Sequence, residues 1–243
     1  MLGRRRENVP VYPFVVDDIT RANLGSAGLE DLAIHLWPHE CQTCGGNLNG
    51  TRPAVRVKAW PDMAAADLHH PDCLPARWED TTTTSSAAAS TAATLNFVSR
   101  ALLLPIIGER TGAEALRPFL LVNPGLEQVV LAEREGYWRV ATTHYYARYG
   151  LSGGGSMLRI DFTIPNAIAS LDPADNLTVL LGDLRAGWTG ECDPELAAYI
   201  RELGGTVVAV STAFHPALES VLADFADAIA IGQVAGGWVP LTA

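Results

Sequence analysis

Two short stretches carry residues able to do chemistry, "CQTCGG" (Cys41 to Gly46) and "HHPDC" (His69 to Cys73). Cys41 and Cys44 have two residues between them, as do His70 and Cys73, and 25 residues separate Cys44 from His70. Each pair has the spacing of a zinc half-site, in which one tight turn offers two side chains to a single ion. Gly45 and Gly46 supply the permissive backbone such a turn needs. Three thiolates and one imidazole make a closed tetrahedral shell, the pattern of structural rather than catalytic zinc. His69 and His39 stand as alternatives to His70, which gives the shorter turn. A module of roughly 40 residues is too small to fold on its core alone, so the metal is expected to supply most of its folding energy.

The CxxC pair, the gap, and "LHHPDCL" at residues 68–74 resemble the Cys3His zinc fingers of the LIM and PARP type over residues 39–78. Fingers of the PARP type bind DNA breaks and LIM modules bind proteins, so the resemblance implies zinc and a protein or nucleic-acid partner. Arg52, Arg56 and Lys58 lie in the strand-like run "RPAVRVKAW", where a PARP-like finger would face phosphate.

A second candidate lies in the last 70 residues. Apolar runs alternate with amphipathic ones, which reads as β-α-β-α-β with parallel strands. Ligands of open α/β sheets sit at the carboxyl ends of the strands. That places Asp183, Ser211 and Thr212 as candidate contacts for a small ligand. The stretch from "ELAAYIREL" to "DAIAIG" resembles a sugar-isomerase (SIS) domain, with Ser211-Thr212 after a strand and Ala226-Asp227 before the next. "GDLRAGWTGE" stands where that family has its Ser-x-Ser-Gly phosphate loop. No GxGxxG and no GxxxxGK[ST] occurs, which leaves dinucleotide and P-loop chemistry without support. Cys192 precedes a helix start, where a thiolate gains from the helix dipole. "THYYARY" gathers aromatic residues that read first as sheet cover.

These groups need a scaffold. The chain has 243 residues and is 48% apolar, enough for a real core. Asp193 and Pro194 read as an N-cap and first helical residue for "ELAAYIREL", and Gly204-Gly205 as its stop. "TRANLGSAGLEDLAIHLW" reads as a helix weakened by glycine, and "NFVSRALLLP" as another ending near Pro105, with "GAEALRPF" adding a turn. "PFLLVN", "EQVVLAE" and "YWRVATTHYYARY" read as an antiparallel meander, and "MLRIDFTI" as a further strand. "TTTTSSAAASTAAT", residues 81–94, has no large side chain and reads as a linker. The expected organisation is α+β: residues 1–80 with the zinc-nucleated module, the linker, and a mixed α/β body over residues 95–243. That body combines the meander with a C-terminal β-α-β-α-β three-layer unit.

The net charge of −10 disfavours non-specific nucleic-acid binding, which needs clustered cations. Lys58 is the sole lysine, an arginine-for-lysine bias that suggests a GC-rich bacterial genome. No stretch approaches the roughly 20 apolar residues that span a bilayer. Three of four cysteines sit at ligand spacing, which suggests the reducing cytoplasm. The expectation is a non-enzymatic zinc-containing binding or adaptor protein. A small-ligand enzyme or sensor, and a structural component that forms a homo-oligomer, are the alternatives.

Overall fold

The computed structural model describes residues 12–81, 99–107, 114–153, 160, 162–182, 186–217 and 219–242. Its mixed α+β class agrees with the sequence reading. Helix α1 (Asp18–His35) opens with Asp17 as N-cap, whose carboxylate accepts from the amides of Ile19 and Thr20. Gly25, at φ 61°, breaks its regularity. Strands β1 (Ala54–Ala59), β2 (Met63–His69) and β3 (Arg77–Asp80) follow, then β4 (Ser99–Ile107) and β5 (Glu114–Val122). A single 3-10 turn (Pro124–Leu126) leads to β6 (Gln128–Arg134), β7 (Tyr137–Val140) and helix α2 (Thr142–Ala147). The remainder is β8 (Ser152–Gly153), β9 (Ala167–Leu171), β10 (Asn176–Leu181), β11 (Ala186–Glu191), α3 (Pro194–Leu203), β12 (Gly205–Val210), α4 (Val221–Ala230) and β13 (Ala235–Pro240).

Among the described residues these strands make three sheets, in the orders β3-β1-β2-β6-β7, β11-β10-β9 and β4-β5-β12-β13-β8. The first is built from both sides of residues 81–94. Strand β2 pairs antiparallel with β6, from Met63↔Ala132 to Asp67↔Gln128. The chain leaves the large C-terminal sheet at Val122, contributes the β6–β7 hairpin to the N-terminal sheet, and returns through α2 to β8. The hairpin turn uses Glu135 and Gly136, both at positive φ, the conformation that matches strand twist. Residues 82–94 of the expected linker lie outside the described residues, while the flanking segments share one sheet and one core. Leu24, Leu29 and Leu32 of α1 pack there with Val55, Val57, Ala64 and Ala66, and with Val129, Leu131 and Trp138 from later in the chain. The module is therefore not an isolated satellite of about 40 residues but shares its sheet and core with residues 128–140.

Residues 118–122 of β5 and all of β12 are buried on both faces. On one side Leu120, Val122, Val208 and Val210 meet Ala169, Leu177 and Val179 of the three-stranded sheet and Leu196 and Ile200 of α3. On the other, Phe119, Leu121, Val207 and Ala209 meet Val221 and Phe225 of α4.

Several sequence expectations change. Residues 99–105, read as the end of a helix, form strand β4, and "GAEALRPF" contributes to β5. The run "ALLL" serves two cores by alternation: Ala101 and Leu103 face the three-stranded sheet, Leu102 and Leu104 face the α4 side. Pairing with β5 overrides leucine's helix preference, and Pro105 is tolerated because β4 is an edge strand. Conversely, "THYYA" is helical, not the end of a strand. The β-α-β-α-β reading is also corrected. Strand β10 alternates in burial and lies between antiparallel β9 and β11, apart from β12. Strand β12 pairs parallel with β5 and antiparallel with β13. "DAIA" closes α4, and the last strand is Ala235–Pro240. The N-cap at Asp193 and the left-handed cap at Gly204 are as expected. Of "MLRIDFTI", residues 157–159 and 161 lie outside the described residues, and Thr163 bridges to Trp238.

The segment after α1 is seated on the ends of β5 and β12. The Trp37 amide donates to the Gly125 carbonyl at 2.9 Å, and its indole N–H to the Thr212 carbonyl at 3.1 Å. A Cβ at Gly125 would overlap the His35 carbonyl oxygen and approach Asn123 Oδ1. Gly125→Ala is expected to lower unfolding free energy by about 3 kcal/mol, the upper range for overpacking. The midpoint of urea denaturation checks it, and an unchanged midpoint would show that α1 does not press on this turn.

Candidate metal centre

Cys41, Cys44, His70 and Cys73 come together, with their candidate ligand atoms all within 4.8 Å of one another. The first pair sits on a closed loop. The Cys41 amide donates to the Gly46 carbonyl at 2.8 Å, and Gly45, at φ 70°, returns its amide to the Cys41 carbonyl at 2.8 Å. The second pair begins where β2 ends: the amides of Cys73 and Leu74 donate to the His70 carbonyl at 2.9 and 3.0 Å. The Gln42 amide bonds the Leu68 carbonyl at 2.9 Å and fastens the first loop to the end of β2. A Cβ at Gly46 would stand 3.2 Å from His70 Cε1 and 3.3 Å from Cys44 Sγ, so glycine lets the loop close over both.

Three sulfurs and one imidazole nitrogen make a donor set that could hold a tetrahedral ion. Ligands at about 2.0–2.3 Å from one metal stand about 3.3–3.8 Å apart. His70 Nδ1 lies 3.4 Å from Cys44 Sγ, within that range. His70 Nε2 is 3.1 Å from the Asn47 carbonyl. An Nε2–H donated there fixes the neutral tautomer and leaves Nδ1 as the ligand atom, the usual role of a second group behind a metal-binding histidine. Cys41 is buried, whereas Cys44 and Cys73 are exposed.

Electrostatics distinguish Cys41 from Cys73. Burial pushes Cys41 up, but backbone donors from His70, Cys44 and Thr43 outweigh it and bring the group to about 6. The hydrogen bond with Cys44, then burial, raise Cys73 to about 11. The contact with Cys44 also raises His70. The amides that shelter Cys41 thus favour its thiolate over that of Cys73.

The structure separates the two adjacent histidines. His69 is 1% exposed and turns away from the cluster. Its Nδ1 is 2.8 Å from Thr43 Oγ1 and its Nε2 is 2.7 Å from Asp67 Oδ1. Arg56 forks onto Asp67, with Nε 3.1 Å from Oδ1 and a second bond to Oδ2. Burial raises Asp67, and the His69 and Arg56 bonds outweigh it and hold the carboxyl below its ordinary range. Arg56 is therefore committed to an internal partner. Arg52 Nε donates to the Tyr12 carbonyl at 3.2 Å. Lys58 is half-buried on β1, in register with Ala65 and Glu79. Thr43 and Asp67 escaped the sequence reading. The signal was present, since Asp67 and His69 lie two apart on a strand and share a face.

His39 is elsewhere, its ring 5.8 Å from that of His215. Ser211 and Thr212 are buried, at 0% and 4% exposure. Ser211 Oγ accepts from the Ala213 amide, and Thr212 Oγ1 is 2.9 Å from His35 Nδ1. Trp37 and His35 occupy the strand-end position expected for a ligand. Asp183 lies outside the described residues. Burial pushes the Cys192 thiol up to about 11, opposite to activation by a helix dipole. Tyr146 packs on Trp188, ring centres 5.6 Å apart, in keeping with aromatic cover.

Comparison of the chain with protein-family models, with curated proteins and with solved structures finds no match. Among the described residues, no helix is long and apolar enough to cross a membrane.

Glu127, at the junction of the two sheets, also went unnoticed in the sequence. Burial, and then the Glu40 carboxylate, raise it from 4.5 to about 7. The folded state thus binds this proton more tightly than the unfolded chain. Its stabilising contribution is full below about 4.5 and is lost as pH rises through about 7. Glu127→Gln stays neutral at every pH. Its melting temperature is expected to match the wild type near pH 5 and to exceed it by a few degrees at pH 8. A constant offset across that range would refute the assignment.

Proposed function

We propose that the chain is a non-enzymatic zinc-containing binding or adaptor protein, with the Cys3His group as a structural zinc site and a protein as its partner. The convergence of three sulfur atoms and one correctly oriented imidazole within 4.8 Å carries the reading. Thiolate-rich tetrahedral sets favour zinc over hard cations. Four protein ligands complete the shell, so no position is left for substrate. Bound zinc would act as a cross-link between the two loops.

The charge balance supports a protein partner over a nucleic acid. The net charge is −10, and Arg56, the most central cation of the candidate strip, is spent on Asp67. Neutralising phosphates requires free cations, and each contributes to a steep salt dependence. Lys58 and the exposed thiol side of the metal centre are the surface this reading assigns to the partner.

Elemental analysis of protein purified without chelator is expected to return about one zinc per chain, and Cys44→Ser about a tenth of that or less. Absence of stoichiometric transition metal from the wild type would end the zinc reading. Duplex and single-stranded DNA and RNA are expected to bind weakly at 150 mM salt, with no change for Lys58→Ala. Tight, salt-sensitive binding lost in that variant would replace the protein partner with a nucleic acid.

A further inference from the structure

The relay of Arg56, Asp67, His69 and Thr43 has no ligand role in the zinc site, yet it spans the same two loops that the ion would join. Thr43 lies inside the first loop, between Cys41 and Cys44; His69 immediately precedes His70. We propose that Thr43, His69 and Asp67 are positioning residues for the metal centre, a hydrogen-bonded strap that holds the two ligand loops in place before any ion arrives. The inference rests on the zinc reading and adds how the site is made ready.

Three observations carry it. First, the imidazole of His69 is 1% exposed and both its nitrogens are satisfied, by Asp67 at 2.7 Å and by Thr43 at 2.8 Å. Losing the Thr43 hydroxyl would leave a buried ring nitrogen unpaired, which costs far more than an exposed bond is worth. Second, Asp67 is itself pinned by the fork of Arg56 from the neighbouring strand β1, so the strap is anchored on the sheet and not on the loops. Third, the exposed Thr43 is the strap's contact with the first loop, next to the backbone bond from Gln42 to Leu68 at 2.9 Å. The two bonds hold one turn by both side chain and main chain.

The physical consequence concerns where the ordering entropy is spent. In a finger whose loops are ordered only by metal, binding must also meet the cost of folding. Here β-pairing and the strap meet it beforehand, so ion binding is expected to be nearly uncoupled from folding. Breaking the strap should then weaken the metal without changing the ligands. Groups hydrogen-bonded to metal ligands typically contribute 10–100-fold in affinity, and the strap, one step further back, is expected to act at the low end of that range through the loops it ties.

The test uses the full chain and two metals. Cobalt(II) reports the ligand set by its absorption spectrum, and zinc affinity is read by competition with a chromogenic chelator. Thr43→Val and Asp67→Asn are expected to keep the wild-type cobalt spectrum and to bind zinc about tenfold or more weakly. Thr43→Ser, which retains the hydroxyl, is expected to restore wild-type affinity. A role confined to fold stability would lower melting temperature and leave affinity unchanged well below it; that result overturns the proposal. Hydrogen exchange on metal-free wild type supplies an independent reading. The Gln42 amide is expected to be protected there and to lose protection in Thr43→Val; exchange at the rate of free peptide in the metal-free wild type also overturns it. A wild type that binds neither metal sinks the zinc reading as a whole. Normal binding with unaffected variants sinks only the strap.

Discussion

The ladder between β2 and β6 is the constraint from which the other features descend. It fuses a strand that precedes the low-complexity stretch to one that follows it, in a register running from Met63↔Ala132 to Asp67↔Gln128. With this register, Ala64, Ala66 and Leu68 enter the core under α1, and Asp67 and His69 share the opposite face. A slip by one residue would exchange those sets, taking Leu68 out of the cluster under α1 and driving a carboxylate into it. The hydrophobic pattern thereby fixes where Asp67 points, and Arg56 can meet it because β1 pairs with β2 at Arg56↔Asp67.

The Cys3His cluster inherits its geometry from that sheet. His70 follows directly on the last residue of β2, and the Leu68 carbonyl within that strand holds the cysteine loop through Gln42. A ligand turn rooted in a five-stranded sheet differs physically from one in a free-standing finger. The sheet orders the turn independently of any ion that the cluster could hold. The asymmetry of the thiols follows from the same rooting. Cys41 lies against the core and collects amide donors; Cys44 and Cys73 face outward.

At the other end of the N-terminal half, His35 and Trp37 fill the space above the ends of β5 and β12. Ligands commonly sit at such strand ends in open α/β sheets. Here the position is taken by the chain itself, through Trp37 to Gly125 and Thr212 and through His35 to Thr212. The glycine at 125 follows from this seating, since no larger residue fits beneath the His35 carbonyl. This contact and the β2–β6 ladder are two independent attachments between the halves of the chain, with the half-buried Glu127 close to the seam.

What the sequence determined by itself was local. The spacing of Cys41, Cys44, His70 and Cys73 announced their convergence, because two-residue gaps suit turns whatever surrounds them. Asp193, Pro194 and Gly204 marked the ends of α3 because caps act within a few residues, and the alternation about Val55 and Val57 marked β1 for the same reason. The rest depended on partners distant in the chain. "RALLL" has apolar residues enough for either a helix or a two-faced strand, and the neighbouring strand β5 decided the matter. No short-range signal could say that β10 joins β9 and β11 while β12 joins β5, since both runs are simply apolar. Likewise, a histidine beside a histidine looks like a spare ligand. Only the folded chain, by burying Asp67 where an unpaired carboxylate would be costly, assigned His69 to that carboxylate and left His70 to the sulfurs.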